Sequence, residues 1–226
     1  MVRVTPVRAL LFDLDGTLID SMPLHHEAWR TWHAGQGLAF DEDGFFAATA
    51  GRTNGEILAD LFPTRTEAER AAMAEHKEAL YRQLAAARLA LIAGADELLA
   101  RAGARGLGLA ICTAAPPGNM RVAFERFGLD RRVQAVTSPA DGLRGKPHPD
   151  IFEEAARRLG VAPAQCIVFE DAPLGVEAAR RAGMRAFALT TTLPAADFAA
   201  FSNLIGVAPD LAGCDLDALL RDPSHA

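Results

Sequence analysis

The sequence predicts an α/β fold in which a parallel-sheet domain is interrupted, after its first strand, by a helical domain. An apolar run at residues 7–12 ends abruptly in acidic residues, as buried parallel strands often do. The long segment that follows, to about residue 90, has helical spacing and no convincing strand. Beyond Gly94, strand-like and helix-like segments alternate, which is typical of α/β domains.

The individual elements follow from local signals. In the helical segment, Ala, Leu, Glu and Arg recur at helical spacing, with breaks at residues 35–37, 51–55 and 63 where Gly or Pro occurs. The later predicted strands are 107–113, 134–137, 166–169 and 186–189. The later predicted helices are 95–101, a segment from the Pro-Pro-Gly turn to about 127, 150–159 and 173–182. Because the strands must share one core, we expect a Rossmann-like core domain at 1–18 and 92–226, with a helical domain at 19–91.

Composition restricts the possible partners. The chain has 226 residues, 50% of them hydrophobic, and a formal net charge of −6. Charges of both signs are dispersed and no basic run occurs, so we expect no nucleic-acid partner. An acidic protein that handles an anionic substrate must supply local positive charge from Lys, Arg or a metal ion.

The cysteines and apolar runs bear on the compartment. Cys112, Cys166 and Cys214 match no zinc-binding pattern, and we expect reduced, buried thiols. The N-terminal apolar run is shorter than the apolar region of a signal peptide, and no later run approaches the length of a membrane span. We therefore expect a cytoplasmic protein without a membrane partner. The oligomeric state stays open, with a monomer favoured.

Polar residues stand where the predicted strands end, which is where open parallel sheets bind ligands. These residues are Asp13 and Asp15 after the first strand, Thr113, Lys146, and Glu170 with Asp171. Each has a structural explanation when taken alone: Asp-Gly is a turn signal, an acid before a helix can be an N-cap, and lysines are usually on the surface. Four such segments meeting at one sheet edge favour a functional site.

The residue types at this edge suit phosphoryl transfer. Asp13 can attack phosphorus, while Asp15 can protonate the leaving oxygen and then activate water. Clustered acids repel one another unless a cation intervenes, and Mg²⁺ prefers hard oxygen ligands. Lys146 can neutralise phosphoryl oxygens and Thr113 can donate hydrogen bonds to them. The Gly-rich segment before Pro147 is not a P-loop, because Pro follows the Lys where Ser or Thr is required.

These motifs and their order resemble the haloacid dehalogenase-like superfamily of phosphohydrolases over nearly the whole chain. The four signatures are Phe12-Asp13-Leu14-Asp15-Gly16-Thr17-Leu18, Ile111-Cys112-Thr113-Ala114, Gly145-Lys146-Pro147 and Val168-Phe169-Glu170-Asp171. The resemblance implies that Asp13 is the nucleophile and Asp15 the general acid and base. It implies a phosphate site formed by Asp13, Thr113, Ala114 and Lys146. It also implies that Mg²⁺ is held by Asp13, the carbonyl of Asp15, Glu170 and Asp171.

Within the superfamily, the chain is similar to the β-phosphoglucomutase-like branch, whose helical cap domain follows the first signature. The supporting residues are Asp20-Ser21, His25, Ala28-Trp29, Gly51-Arg52 and Lys77. The resemblance implies substrate contacts from the cap residues His25, Gly51, Arg52, Asn54 and Lys77. Of the adjacent His25 and His26, family position favours His25. Trp29 and Trp32 are expected to pack the helical block, although Trp29, like Arg52, could instead face the cleft.

We therefore expect a Mg²⁺-dependent phosphatase that acts on a small-molecule phosphate ester, for example a sugar phosphate, through an aspartyl-phosphate. The alternative is a phosphomutase, which needs a strong cap site for a second phosphate. Asn54 stands where the mutases have Arg, and Ala115, Pro116 and Pro117 replace polar residues, so hydrolysis is favoured. A dehalogenase would need neither Asp15 nor Mg²⁺. A non-enzymatic phospho-acceptor would place its Asp in mid-chain and carry no helical insertion.

Overall fold

The computed structural model describes residues 6–49 and 52–221. These residues divide into two compact units. The larger, the core unit, comprises the described parts of Met1–Asp20 and Ala90–Ala226, and the smaller, the helical unit, is Ser21–Leu89.

The core unit is built on a six-stranded sheet in which every neighbouring pair of strands is parallel. The strands are β1 (Ala9–Phe12), β2 (Gly108–Cys112), β3 (Ala135–Thr137), β4 (Cys166–Glu170), β5 (Arg185–Leu189) and β6 (Leu204–Ala208). Their order across the sheet is β3-β2-β1-β4-β5-β6. This is the doubly wound order of Rossmann-like folds, which confirms the predicted fold class.

The helical unit consists of α1 (Met22–Gly35), α2 (Glu42–Thr49), α3 (Asn54–Leu61) and α4 (Glu67–Arg88). Both α3 and α4 begin with a capping box. The hydroxyl of Thr53 or Thr66 accepts a hydrogen bond from the backbone N–H of a glutamate three residues later, and the side chain of that glutamate accepts one from the backbone N–H of the threonine. Each capping box satisfies one N–H of the first helical turn and the N–H of the capping threonine. Trp29 and Trp32 are buried with Ile57 and Leu58 in the core of this unit, as the packing interpretation of the two tryptophans predicts.

The α-helices of the core unit lie between and after its strands along the chain. They are α5 (Ala95–Ala104), α6 (Pro117–Phe127), α7 (Asp150–Leu159), α8 (Pro173–Arg181) and α9 (Leu216–Leu220). One side of the sheet presents Leu11 and Val168 to a buried cluster with Phe152 of α7 and Val176 of α8. The next residue along each strand points to the opposite side, where Phe12 stacks on Phe169 with ring centroids 4.8 Å apart. Burial of both faces explains why these strands are continuous apolar runs.

Strand β6 and helix α9 are absent from the sequence prediction, which has five strands. The reason lies in the position of β6 at the edge of the sheet, where Ile205 and Val207 are 39% and 42% exposed. Its mid-strand glycine, Gly206, is a poor strand signal on its own. A side chain there would meet the ring of Phe187, since an added Cβ would lie 2.5 Å from that ring.

The three cysteines are buried free thiols. Burial raises the pKa of Cys112 and of Cys166 to about 12, so these two thiols are not nucleophiles near neutral pH. Within the described residues, no helix is both long and apolar enough to cross a membrane.

Candidate active site

Two neighbouring strands bring three carboxylates together at the carboxyl edge of the sheet. Asp13 follows β1, and its backbone N–H donates a 3.0 Å hydrogen bond to the carbonyl of Phe169 in β4. Because Phe12 pairs with Phe169, the side chains of Glu170 and Asp171 at the end of β4 lie beside Asp13. All three residues are buried, and one carboxylate oxygen from each lies within 4.8 Å of the others.

The electrostatics of this acid cluster favour a bound cation. Burial raises the pKa of Asp13, raises that of Glu170 to about 8 and raises that of Asp171 to about 7, because a charged carboxylate loses its hydration. Repulsion from neighbouring acids raises these pKa values further: Asp15 acts on Asp13, Asp13 and Asp171 act on Glu170, and Asp13 acts on Asp171. A divalent cation that binds oxygen ligands would hold all three carboxylates ionised. Asp13, Glu170 and Asp171 therefore fit a divalent cation that prefers oxygen ligands, such as Mg²⁺.

Lys146 lies against the same cluster. Its ammonium forms ion pairs with Asp13 and Glu170, and its Nζ lies 5.5 Å from the ring centroid of Phe152. Burial on its own lowers a lysine pKa, but these two carboxylates outweigh burial and raise the pKa of Lys146. The side chain is therefore a fixed positive charge beside Asp13.

Two glycines provide room for the acids. An added Cβ at Gly175 of α8 would lie 1.9 Å from the carboxyl carbon of Glu170. At Gly16 it would lie 2.1 Å from Asp171 Oδ2, and the backbone there has φ +75°. Both positions require glycine because the carboxylates of the cluster occupy the space of a side chain.

A tight turn after β1 positions the second acid of the first motif. Gly16 donates a 2.9 Å backbone hydrogen bond to the carbonyl of Ile19, and Leu18 donates a 3.0 Å bond to that of Leu14. Asp15 on this turn is half-buried, and its charge contributes to the raised pKa of Asp13. The two acids of the motif are thus electrostatic neighbours.

Thr113 lies at the same edge, one strand away. Its backbone N–H donates to the carbonyl of Thr137 at 3.0 Å, which continues the β2–β3 pairing by one residue. Its buried hydroxyl accepts a 2.9 Å hydrogen bond from the N–H of Ala115, while Ala114 between them is exposed. Since β1 and β2 are paired with Phe12 opposite Ile111, Thr113 and Asp13 end adjacent strands.

Three of the predicted cap residues share a polar cluster inside the helical unit. Lys77 Nζ lies 2.7 Å from His25 Nδ1 and 2.9 Å from Glu78 Oε1, and the amide of Asn54 donates to the same glutamate oxygen. The ring of His25 stacks on Tyr81 with centroids 3.8 Å apart. Lys77 and Glu78 are only 2% and 6% exposed, so this is a buried ion pair.

Arg52, a fourth predicted cap residue, has other partners. Arg52 forms a 2.6 Å ion pair with Asp60 and donates a 3.2 Å hydrogen bond to the carbonyl of Glu56. Gly51 lies outside the described residues.

Two residues of these sites, Thr192 and Glu78, are absent from the sequence prediction. Thr192, in the loop after β5, donates a hydrogen bond to Asp171. Its signal was the run of threonines that begins where a predicted strand ends. Glu78 gives no such signal, because an acid beside a lysine on a long helix is typical of a solvated face.

Comparisons with known proteins agree with this geometry. The profile of the haloacid dehalogenase-like hydrolase family matches residues 7–183. Hexitol phosphatase A of Escherichia coli (strain K12) is 37% identical over 188 residues, which cover 80% of this chain and 82% of that protein. Validoxylamine A 7'-phosphate phosphatase of Streptomyces hygroscopicus subsp. limoneus is 35% identical over 188 residues, covering 82% of this chain and 86% of that protein.

Among solved structures, a haloacid dehalogenase-like (HAD) hydrolase of family IA, variant 3, from Entamoeba histolytica has a TM-score of 0.87 at 26% identity. The match covers 95% of this chain and 98% of that one. The matched residues run from β1 to the end of α8 and include all four signatures. The predicted resemblance is therefore confirmed, and the chain belongs to the haloacid dehalogenase-like hydrolase family.

Proposed function

We propose that the protein is a Mg²⁺-dependent phosphatase that hydrolyses the phosphate monoester of a small sugar-like metabolite through an aspartyl-phosphate on Asp13. The observation that carries this proposal is the buried carboxylate of Asp13, which is held between the ammonium of Lys146 and two further acids at the sheet edge. Such a carboxylate is fixed in position and suited to nucleophilic attack. The names of the two relatives, both phosphatases, support the same reaction.

In the first step, a carboxylate oxygen of Asp13 attacks phosphorus and the ester P–O bond breaks. Asp15 donates its proton to the departing alkoxide, which leaves as an alcohol. Lys146 neutralises charge on the phosphoryl oxygens, and Thr113 donates hydrogen bonds to them. Mg²⁺, held by Asp13, Glu170, Asp171 and the carbonyl of Asp15, would offset the negative charge that otherwise repels the phosphate.

In the second step, Asp15 accepts a proton from water, and the resulting hydroxide attacks the phosphorus of the acyl phosphate. The bond between phosphorus and Asp13 breaks, which releases inorganic phosphate and restores the Asp13 carboxylate. Asp15 ends the cycle protonated, ready for the next ester. The same carboxyl group therefore serves both half-reactions.

The names of the relatives support the substrate class that we propose. They specify a hexitol and the 7'-phosphate of validoxylamine A. A phosphate monoester on a small polyhydroxylated molecule, such as a sugar or sugar alcohol, is therefore the class we assign to this chain.

Two contacts in the helical unit favour hydrolysis over the phosphomutase alternative. A mutase must hold a second phosphate, for which Arg is best suited. Asn54, at the position where the mutases have that Arg, donates to the carboxylate of Glu78, and Arg52 is paired with Asp60. Asn54 carries no charge and the charge of Arg52 is already paired, so neither residue offers an unpaired cation to a distal phosphate.

A screen of phosphorylated sugars and sugar alcohols with Mg²⁺, measuring free phosphate, tests the proposal, with Asp13→Asn as the inactive control. A second assay supplies β-glucose 1-phosphate with catalytic β-glucose 1,6-bisphosphate. We expect release of phosphate without isomerised product. Formation of glucose 6-phosphate faster than phosphate release would establish the mutase instead.

A further inference from the structure

The loop after β5 contacts the acid cluster through the hydroxyl of Thr192. Asp171 is 4% exposed, and each of its two carboxylate oxygens accepts a hydroxyl hydrogen bond. Thr17, from the turn after β1, donates to Oδ1 at 3.3 Å, and Thr192, from the loop after β5, donates to Oδ2. The carboxylate is therefore held by hydrogen bonds from hydroxyls of two separate segments of the core unit.

The neighbouring threonine fastens the same loop to the first motif. Thr191 donates its hydroxyl to the carbonyl of Gly16, the glycine whose missing side chain leaves room for Asp171. The loop itself is anchored to the sheet, because Thr190 donates a 2.9 Å backbone hydrogen bond to the carbonyl of Ala208 in β6. Thr191 and Thr192 thus join the ends of β1, β4 and β5 around one carboxylate.

We infer that Thr192 is a positioning residue for the metal site, whose hydroxyl orients Asp171 and thereby sets the affinity for a divalent cation. A carboxylate oxygen has two lone pairs, so an oxygen that accepts from threonine keeps one for a cation. Without the hydroxyl, the carboxylate can rotate away from the ligand geometry, and hydrogen-bond partners of metal ligands commonly change metal affinity by about 10- to 100-fold. This inference rests on the metal site proposed above.

The test measures Mn²⁺ binding to the full chain without substrate, from the electron paramagnetic resonance signal of free Mn²⁺, with Mg²⁺ as competitor. We expect Thr192→Val to bind Mn²⁺ about 10- to 100-fold more weakly. Thr192→Ser, which keeps the hydroxyl, should restore most of the affinity. The matched control is Thr190→Val, because the Thr190 hydroxyl contacts the carbonyl of Ala208 at 3.5 Å and not the acid cluster.

The outcomes separate this inference from the proposed function. If wild-type protein binds Mn²⁺ and Thr192→Val binds it equally well, the positioning role is wrong while the metal site stands. An equal loss in Thr190→Val would also overturn the role, since the effect would then belong to the loop as a whole. If wild-type protein binds no Mn²⁺, the proposed metal site fails together with the inference.

Discussion

At the scale of single residues, the site buries three carboxylates beside a single ammonium. Asp13, Glu170 and Asp171 lie within reach of one cation, and Lys146 forms ion pairs with the first two. Isolated buried carboxylates would take up protons, and a protonated Asp13 would be a poor nucleophile. The fixed ammonium and a bound cation would keep Asp13 ionised and would attract the phosphate dianion.

Lys146→Ala should lower kcat by about 10²- to 10³-fold with a smaller change in KM, because charge that stabilises the transferring phosphoryl group acts mainly in the transition state. Steady-state kinetics on the best substrate of the screen measures this. The control is Arg144→Ala in the same loop, since Arg144 is exposed and paired with Asp150 away from the cluster. An unchanged kcat with a raised KM in Lys146→Ala would show that Lys146 only binds substrate.

The sequence predicts some of these residues and not others for a physical reason. Asp13, Asp15 and Lys146 were predicted because they belong to motifs that the predicted topology brings to one edge of the sheet. Thr192 was not predicted, because its contact with Asp171 exists only when β5 lies beside β4. The order of strands in the sheet cannot be read from the local sequence. Glu78 was not predicted, because its burial depends on how α4 packs rather than on its local sequence.

At the scale of elements, the helical unit contains an ion pair that must be kept intact. Lys77 and Glu78 lie near the middle of α4 and are almost fully buried. Removing one partner of a buried pair leaves an uncompensated charge, which is among the costliest single changes in a protein. Adjacent surface pairs on the same helix offer a direct comparison.

Glu78→Ala should lower the free energy of unfolding of the helical unit by about 3–5 kcal/mol, since the buried Lys77 ammonium loses the Glu78 carboxylate. Both tryptophans of the chain lie in this unit, so urea unfolding followed by tryptophan fluorescence reports on it specifically. The matched control is Glu75→Ala, which removes a surface partner of Arg82 and should cost less than about 1 kcal/mol. Equal losses in the two variants would contradict the burial argument.

Element prediction succeeded where burial on both faces leaves a continuous apolar run and failed at the edge. β1 and β4 are fully buried, and their runs end in the acids that mark the site. β6 is half exposed and contains Gly206, which is a weak strand signal in the sequence. The glycine is needed because the ring of Phe187 occupies the space of a side chain. β6 can be assigned only from its pairing with β5, which the local sequence does not show.

At the scale of the whole molecule, the acid cluster links folding to pH and to metal. Glu170, with its pKa raised to about 8, and Asp171, raised to about 7, release their protons at higher pH in the folded protein than in the unfolded chain, where such groups titrate near 4. The unfolded chain therefore binds fewer protons across this range. The resulting contribution to the free energy of unfolding decreases as pH rises from about 5 to 8.

We expect Mg²⁺ to raise the unfolding temperature more at pH 8 than at pH 5, because the ion binds the ionised carboxylates. Calorimetry in chelator and in excess Mg²⁺ measures the difference. Burial lowers the pKa of His26, so this histidine makes the free energy of unfolding increase with pH, opposite to the cluster. The double variant Glu170→Gln/Asp171→Asn is therefore needed to isolate the contribution of the acid cluster. A Mg²⁺ effect of the same size at both pH values, or one retained in the double variant, would contradict the assignment.

The central claim is that Asp13 carries the phosphoryl group during turnover. The most direct measurement mixes the enzyme, Mg²⁺ and p-nitrophenyl phosphate, quenches the reaction, and treats the protein with borohydride, which reduces an acyl phosphate to an alcohol. Peptide mass spectrometry should then find homoserine at position 13 in the presence of substrate, and unmodified aspartate without it. Steady turnover with position 13 unmodified, or reduction at another acid, would contradict the claim.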